Sequence, residues 1–190
     1  MIDVWRQAAR QPWNRTEFEA LFLAHYQGIY RMLFRVVGRQ EEAEELAQET
    51  FLRLYRQRFL PGREHNVRAW LYRVATNLAY NALRGQRRQE ERQVRAMRQV
   101  WSREEAANPE EEALRREEQG AVRRTLAALP RPQSQLLLAY YAGLDYRELA
   151  EFMGVTPSSV GTLLARAKKA FEARYRADIL AREEGGSNEV

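Results

Sequence analysis

The sequence predicts an all-α protein in which two small helical domains are joined by a charged linker, the second containing a helix-turn-helix. Apolar residues recur at three- and four-residue steps along most of the chain, and no segment alternates apolar and polar residues as a half-buried strand would. Large apolar residues become sparse only between about Arg87 and Glu118, where charges of both signs dominate. We expect a first domain over 1–95, a linker over 96–118, a second domain over 119–182 and a disordered tail over 183–190.

Three helices are expected in the first domain. Thr16 is the expected N-cap of the first helix, which should run to near Val37 and end at Gly38. The second helix carries apolar positions at helical spacing, namely Ala43, Leu46, Ala47, Thr50, Phe51 and Leu54. A loop around the Pro-Gly pair at 61–62 then leads into a third helix with the apolar stripe Leu71, Val74, Ala75, Leu78 and Ala82.

The composition lacks or limits the residue types on which many enzyme active sites depend. The chain has no cysteine and only two histidines, which excludes disulfides, thiolate metal sites and a cysteine nucleophile. A recombinase or nuclease would need a metal-binding carboxylate cluster or a supported nucleophile, and the dense carboxylates Glu44, Glu45 and Glu49 have no accompanying ligand pattern. We therefore expect no catalytic residue, no metal and no cofactor.

The protein is expected in the cytoplasm, without membrane insertion. No apolar run approaches the ~20 residues that a membrane span requires, and the first residues lack the pattern of a secretory signal. The net charge of +5 is modest, so the distribution of charge says more about partners than its sum.

One face of the third helix combines an aromatic residue with amides and arginines, in the order Trp70, Arg73, Asn77, Asn81, Arg84 and Arg88. Between residues 67 and 98 there are eight arginines and two glutamates. Arginines can hold phosphates, asparagines can read a base, and Trp70 or Tyr72 can stack on an unpaired base. The pattern therefore favours a nucleic acid as partner. The alternative is a solvated face with Trp70 in the core.

The start of the second helix is acidic, with Glu41, Glu42, Glu44, Glu45 and Glu49. These residues would repel DNA. They either stabilise the helix by opposing its macrodipole or form a docking face for a basic protein.

The second domain contains the spacing of a helix-turn-helix. Ala150 is small enough for two helices to cross closely, Gly154 can adopt the left-handed conformation of the turn, and Val160 fills the shared core. Thr156 should cap the next helix, with Pro157 at its first position.

That next helix should run to about Tyr175. It would bury Val160, Leu164, Ala167 and Phe171 and expose Ser158, Ser159, Thr162 and Arg166. The exposed N-terminal turns would enter the major groove of DNA, and Lys168, Lys169 and Arg174 could hold phosphates. A helical hairpin with a merely solvated face is the alternative.

The order of these motifs resembles the extracytoplasmic-function sigma factors of the sigma-70 family. The run EAEELAQETFLR (42–53) looks like the polymerase-binding helix of that family, and VRAWLYRVATNLAYNALR (67–84) is similar to its strand-opening helix. The run LPRPQ (129–133), followed by the helix-turn-helix, is similar to the family's second DNA-reading domain.

The resemblance implies an alternative sigma factor that binds core RNA polymerase at the clamp of its large subunit and at the flap. It implies promoter DNA as the second partner and a separate anti-sigma factor as the controller. Core polymerase would be bound by Glu44, Glu45, Gln48, Glu49 and Arg53. The minus-ten element would be bound by Gly62, His65, Asn66, Arg68, Trp70, Arg73, Asn77, Asn81, Arg84 and Arg88. The minus-thirty-five element would be bound by Thr156, Pro157, Ser158, Ser159, Thr162, Arg166, Lys168 and Lys169.

The chain departs from the family in its recognition helix. Many members have a Lys-Ser-Arg run where this chain has Gly161, Thr162 and Leu163, so two charged contacts are absent and a glycine weakens the helix. A transcriptional regulator that uses only the helix-turn-helix, without becoming a polymerase subunit, is the alternative function.

Overall fold

The computed structural model describes residues 13–57, 66–97 and 109–186, and these ranges contain seven helices and no strand. The first domain comprises α1 (Arg15–Val37), α2 (Gln40–Arg56) and α3 (Val67–Met97). The second comprises α4 (Pro109–Ala128), α5 (Arg131–Tyr141), α6 (Tyr146–Met153) and α7 (Pro157–Gly186). The predicted all-α fold is confirmed. None of the helices in these three ranges is long and apolar enough to cross a membrane.

Helix α1 begins at a capping box that the sequence analysis placed wrongly. Asn14, not Thr16, is the N-cap: its side chain accepts a hydrogen bond from the Glu17 backbone at 2.8 Å. The Glu17 carboxylate in turn accepts from the Asn14 backbone at 3.2 Å. This reciprocal pair satisfies two amides that the first turn leaves without helical partners. At the other end, Gly38 has φ +76° and closes the helix as predicted.

Five aromatic residues of α1, each four positions after the last, form an aromatic ladder: Phe18, Phe22, Tyr26, Tyr30 and Phe34. Successive ring centroids lie 4.7 to 6.4 Å apart. Because a step of four residues advances slightly more than one helical turn, the ladder winds around α1. Phe18 packs against Tyr55 of α2, and Phe22 packs against Phe51 of α2. The last residue of the ladder, Phe34, is exposed.

Three predicted boundaries differ from the structure. Helix α4 begins at Pro109, inside the predicted linker, where proline is pre-organised for a first helical position. Helix α7 continues past Tyr175 to Gly186, so the predicted disordered tail is wrong for 183–186. The two helical segments that the sequence analysis did not predict, 109–118 and 176–186, consist largely of alanine, arginine and glutamate. These residues favour a helix even without an apolar stripe. Residues 187–190 and the centre of the predicted linker lie outside the described ranges.

The two domains pack against each other through α3, and their buried residues form one continuous cluster. The Tyr80 hydroxyl, on a side chain only 5% exposed, donates to the Leu129 carbonyl at 3.2 Å. Leu83 of α3 and Leu129 are both almost fully buried. The sequence pattern did not indicate a core shared between the two domains. The shared cluster arises because α3 carries a second apolar face at Ala79, Tyr80 and Leu83.

Candidate nucleic-acid interface

Helices α6 and α7 form the predicted helix-turn-helix. Asp145 caps α6 in a capping box with Glu148, and Gly154 ends it in the left-handed conformation with φ +69°. Ala150 and Val160 are buried at the crossing of the two helices. The small residue, the turn glycine and the core valine therefore lie where the sequence placed them.

The start of α7 presents small polar side chains on a rigid helix. Thr156, Pro157, Ser158, Thr162, Arg166 and Lys169 are exposed, and Ser159 is half-buried. The Thr156 hydroxyl lies 3.0 Å from that of Ser158 and 2.9 Å from that of Ser159. These short side chains leave the helix backbone accessible to close approach, and Arg166 supplies a cation one turn beyond Thr162.

Lys168 does not share this face. Six residues after Thr162 it lies about 240° further round the helix, and its ammonium sits 4.3 Å from the ring centroid of Tyr140 on α5. The geometry is a cation–π contact within the second domain. The predicted phosphate-binding position of Lys168 is therefore not where the structure puts the side chain.

The stripe on α3 lies along one helix face as predicted, but the second domain contacts part of it, and it also contacts Arg68, which lies on α3 outside the stripe. Arg68 forms an ion pair with Glu148 of α6 and donates to the Gly143 carbonyl at 3.0 Å. Arg73 donates to the Glu151 carbonyl. The Asn77 side-chain oxygen accepts from Gln135 and, at 2.6 Å, from Arg131 of α5. Further along α3 the stripe is open, since the exposed residues are Asn81, Arg84 and Arg88.

Neither aromatic residue at the start of the stripe is an open stacking platform. Tyr72 is only 5% exposed, and its hydroxyl lies beneath Gly28, where an added Cβ would come within 2.9 Å. Burial raises the pKa of Tyr72. Trp70 is half-buried and packs against the core. The prediction that Tyr72 could stack on a base is wrong for this arrangement, and Trp70 matches the core alternative.

The loop that precedes α3 is described only at its end. The Asn66 side-chain oxygen accepts from the Ala69 backbone at 2.9 Å and so caps α3, a structural use the sequence analysis did not foresee. Gly62 and His65 lie outside the described residues.

The acidic residues of α2 point in different directions. Glu45 and Gln48 are exposed, and Glu49 is paired with the exposed Arg53 at 2.7 Å. Glu44 accepts from Gln40 at 2.9 Å. Glu42 instead turns toward α3 and accepts from Gln86 at 2.9 Å. The outward face is therefore the part of α2 from Glu45 to Arg53.

Sequence reasoning missed five described residues of the second domain that accept from or donate to these side chains of α3, namely Arg131, Gln135, Gly143, Glu148 and Glu151. Each lies 54 to 80 positions from its partner on α3. Local spacing carries no signal at such separations, so no pattern in one sequence could have paired them.

Comparison with known families finds two matched regions in the same order as the predicted domains. Residues 21–89 match Sigma-70 region 2, and residues 119–171 match Sigma-70 region 4. The first match contains α2 and the stripe on α3, and the second contains the helix-turn-helix.

Individual relatives agree with this assignment. The chain is 30% identical over 168 residues to the ECF RNA polymerase sigma factor SigE of Mycolicibacterium smegmatis, covering 86% of this chain and 61% of that protein. It is 30% identical over 162 residues to the RNA polymerase sigma factor YlaC of Bacillus subtilis, covering 82% of this chain and 90% of that protein. The fold resembles the structure of CnrH in complex with the cytosolic domain of CnrY, with TM-score 0.54, 21% identity and coverage of 87% and 91%. The chain belongs to the extracytoplasmic-function sigma factors of the sigma-70 family.

Proposed function

We propose that this sigma factor binds core RNA polymerase through α2, opens promoter DNA with α3 and reads the duplex upstream with α7. The observation that supports this most directly is the coexistence, in one chain, of an acidic outward face on α2 and of exposed basic or polar side chains on α3 and α7. A regulator that used only the helix-turn-helix would account for the match at 119–171 and leave the match at 21–89 without a role.

The proposed polymerase contact is the outward face of α2. Glu45 and Gln48 are exposed and lie close on the helix, while Glu49 holds Arg53 in an exposed pair. A basic partner could bind this face without unfolding any element of the first domain. We propose the clamp of the large subunit as that partner, and the flap as the contact of the second domain.

The proposed minus-ten contacts lie along α3. Asn77 and Asn81 can donate to and accept from a base that has left the duplex, while Arg68, Arg73, Arg84 and Arg88 hold phosphates. We retain Gly62, His65, Asn66 and Trp70 as proposed members of this site. Because Arg68, Arg73 and Asn77 are bonded to the second domain, these three require a rearrangement before they can bind DNA.

The proposed minus-thirty-five contacts come from the N-terminal turns of α7. Thr156, Ser158, Ser159 and Thr162 would approach base edges, and Arg166 and Lys169 would hold phosphates. Lys168 is left out of this set because it faces Tyr140. With few cations in the first turns, binding should depend more on close fit and less on salt than in a lysine-rich recognition helix.

Three further proposals complete this function. The protein works in the cytoplasm, acts by binding alone without catalysing a reaction, and answers to a separate anti-sigma factor. We propose domain boundaries near residue 97 and near residue 109, where α3 ends and α4 begins.

The test is transcription with purified core polymerase on a library of promoter fragments. Only a sigma factor should make the core start at specific sites, and a helix-turn-helix regulator should bind DNA as a dimer without changing where the core starts. Glu45→Lys should weaken binding to the core severalfold or more, because it reverses an exposed charge on the proposed contact. Glu19→Lys is the matched control, since Glu19 is likewise an exposed helical glutamate but lies on α1, outside the proposed polymerase contacts. Equal core affinity of the two variants would contradict the assignment of α2.

A further inference from the structure

A cavity of about 350 Å³ lies where the turn between α1 and α2 meets the second halves of α3 and α4. Its described lining contains four arginines and no carboxylate. We name it the arginine cavity, after Arg39, Arg87, Arg123 and Arg124. None of the four is a proposed polymerase or promoter contact, so the function proposed above does not account for them.

Part of the lining of the arginine cavity is apolar and closed to water. Val37, Leu83 and Ala127 belong to it, and each of these residues is only 2 to 5% exposed. Because water is excluded from this part of the lining, charges beside it are screened less than charges on an open surface. The arginines should therefore attract an anion more strongly here than the same number of scattered surface arginines would.

Arg123 lies at the arginine cavity without a counter-charge in the described part of the chain. Its guanidinium lies against Gly38, at the carboxyl end of α1, where the negative end of the helix macrodipole favours a cation. It forms no ion pair and no hydrogen bond to another described residue. Its N–H groups are therefore positioned beside the cavity and can donate to an anion.

Two of the neighbouring arginines are only partly neutralised. Arg124 pairs with Asp178 of α7 at 2.8 Å, while Arg39 approaches Glu42 at 3.7 Å and stays 71% exposed. A loose pair at the surface contributes little to stability, so Arg39 can turn toward an anion at small cost. Gly120 leaves room for Arg124, since a Cβ at this position would lie 3.1 Å from its guanidinium.

We propose that the arginine cavity binds a small molecule that carries a diphosphate group. The planar fork of arginine can donate two parallel hydrogen bonds to phosphate oxygens. Two linked phosphates present enough oxygens to contact all three sides of the cavity at once. The cavity lies at the small end of the range for ligand sites, which suits a compact anion. Its enclosure by three elements also differs from the open basic groove that follows a nucleic-acid backbone.

The test is isothermal titration calorimetry of the full chain with inorganic diphosphate, in magnesium-free buffer at constant ionic strength. We expect one site per chain. Orthophosphate should bind about tenfold or more weakly, because a single phosphate forms fewer hydrogen bonds between charged groups.

Arg123→Gln should weaken diphosphate binding by about tenfold or more, the loss expected for one hydrogen bond between charged groups. Arg39→Gln, at a more exposed position, should weaken it in the same direction and guards against a folding defect of the first variant. Arg35→Gln is the matched control, since Arg35 is exposed in the last turn of α1 but does not line the cavity. Its affinity should stay within about twofold of the parent, because salt screens a charge at that distance.

The outcomes are distinguishable. No binding to the parent, or equal affinity of Arg123→Gln and Arg35→Gln, would overturn the site. If Arg123→Gln weakened the binding of a short single-stranded oligonucleotide as much as that of diphosphate, the ligand would be nucleic acid and the proposal would be wrong. Each of these results leaves the sigma-factor function intact, because the cavity shares no residue with the proposed polymerase and promoter contacts.

Discussion

Gly38 joins two structural constraints at one position, and replacing it with alanine should reveal both. Its φ of +76° lies in the left-handed region, where a side chain costs about 1–2 kcal/mol. An added Cβ would also lie 1.7 Å from a guanidinium nitrogen of Arg123, on α4 of the second domain. Gly154 isolates the first effect, because its φ is +69° but nothing lies within 4 Å of an added Cβ.

We expect Gly154→Ala to cost about 1–2 kcal/mol and Gly38→Ala to cost about 0.5 kcal/mol more, a small addition because the Arg123 guanidinium ends a flexible side chain that can move aside. Urea unfolding followed by circular dichroism measures both as shifts in midpoint at constant slope. In an Arg123→Ala background the steric part of the Gly38→Ala cost should vanish. A Gly38→Ala cost that is the same in both backgrounds would refute the claim that Arg123 of the second domain packs on this turn.

Two further predictions concern the helix-turn-helix and His25 of α1, which lies near the Arg68–Glu148 ion pair. Val160→Ala removes a fully buried side chain at the crossing of α6 and α7 and should destabilise the protein by about 1.5–3 kcal/mol in urea unfolding, whereas the exposed Thr162→Ala should change stability little. Burial, and then the Arg68 guanidinium, lower the pKa of His25 below its usual 6.5, with Glu148 opposing them. The folded state therefore binds fewer protons than the unfolded state just below pH 6.5, so stability should fall as the pH drops through this range. The fall in the free energy of unfolding should be smaller in His25→Gln than in the parent protein. The same pH dependence in variant and parent would contradict a lowered pKa of His25 in the folded state.

The parts of the fold that the sequence predicts are those set by neighbours in the chain. Gly38 and Gly154 end their helices where expected because the left-handed conformation favours glycine whatever surrounds it. Val160 is buried because the spacing of a helix-turn-helix leaves it no other place. Asn14 was missed as a cap because Thr16 is an equally suitable residue type two positions later, and only the reciprocal contact with Glu17 decides between them.

The parts that the sequence does not predict depend on distant residues. Asn77 and Arg73 were placed on one face of α3, but nothing in their spacing indicates that α5 and α6 would cover that face. Lys168 was assigned by its charge, and its actual direction is set by the tyrosines of α5. In both cases the residue type predicted what the side chain can bind. The packing of the second domain decided whether that side chain is free to bind it.

The aromatic ladder bears on the order in which the chain folds. Its contacts join residues four positions apart, so α1 can gain them with almost no loss of loop entropy, even while the rest of the chain is still being synthesised. The side-chain hydrogen bonds between α3 and the second domain span 49 to 80 positions, and their loop-closure cost is repaid only once both domains exist. We therefore expect the aromatic ladder of α1 to form first and the two domains to pack together last. The last contacts to form can also be the first to open, through a partial unfolding that leaves α1 and its aromatic stack in place.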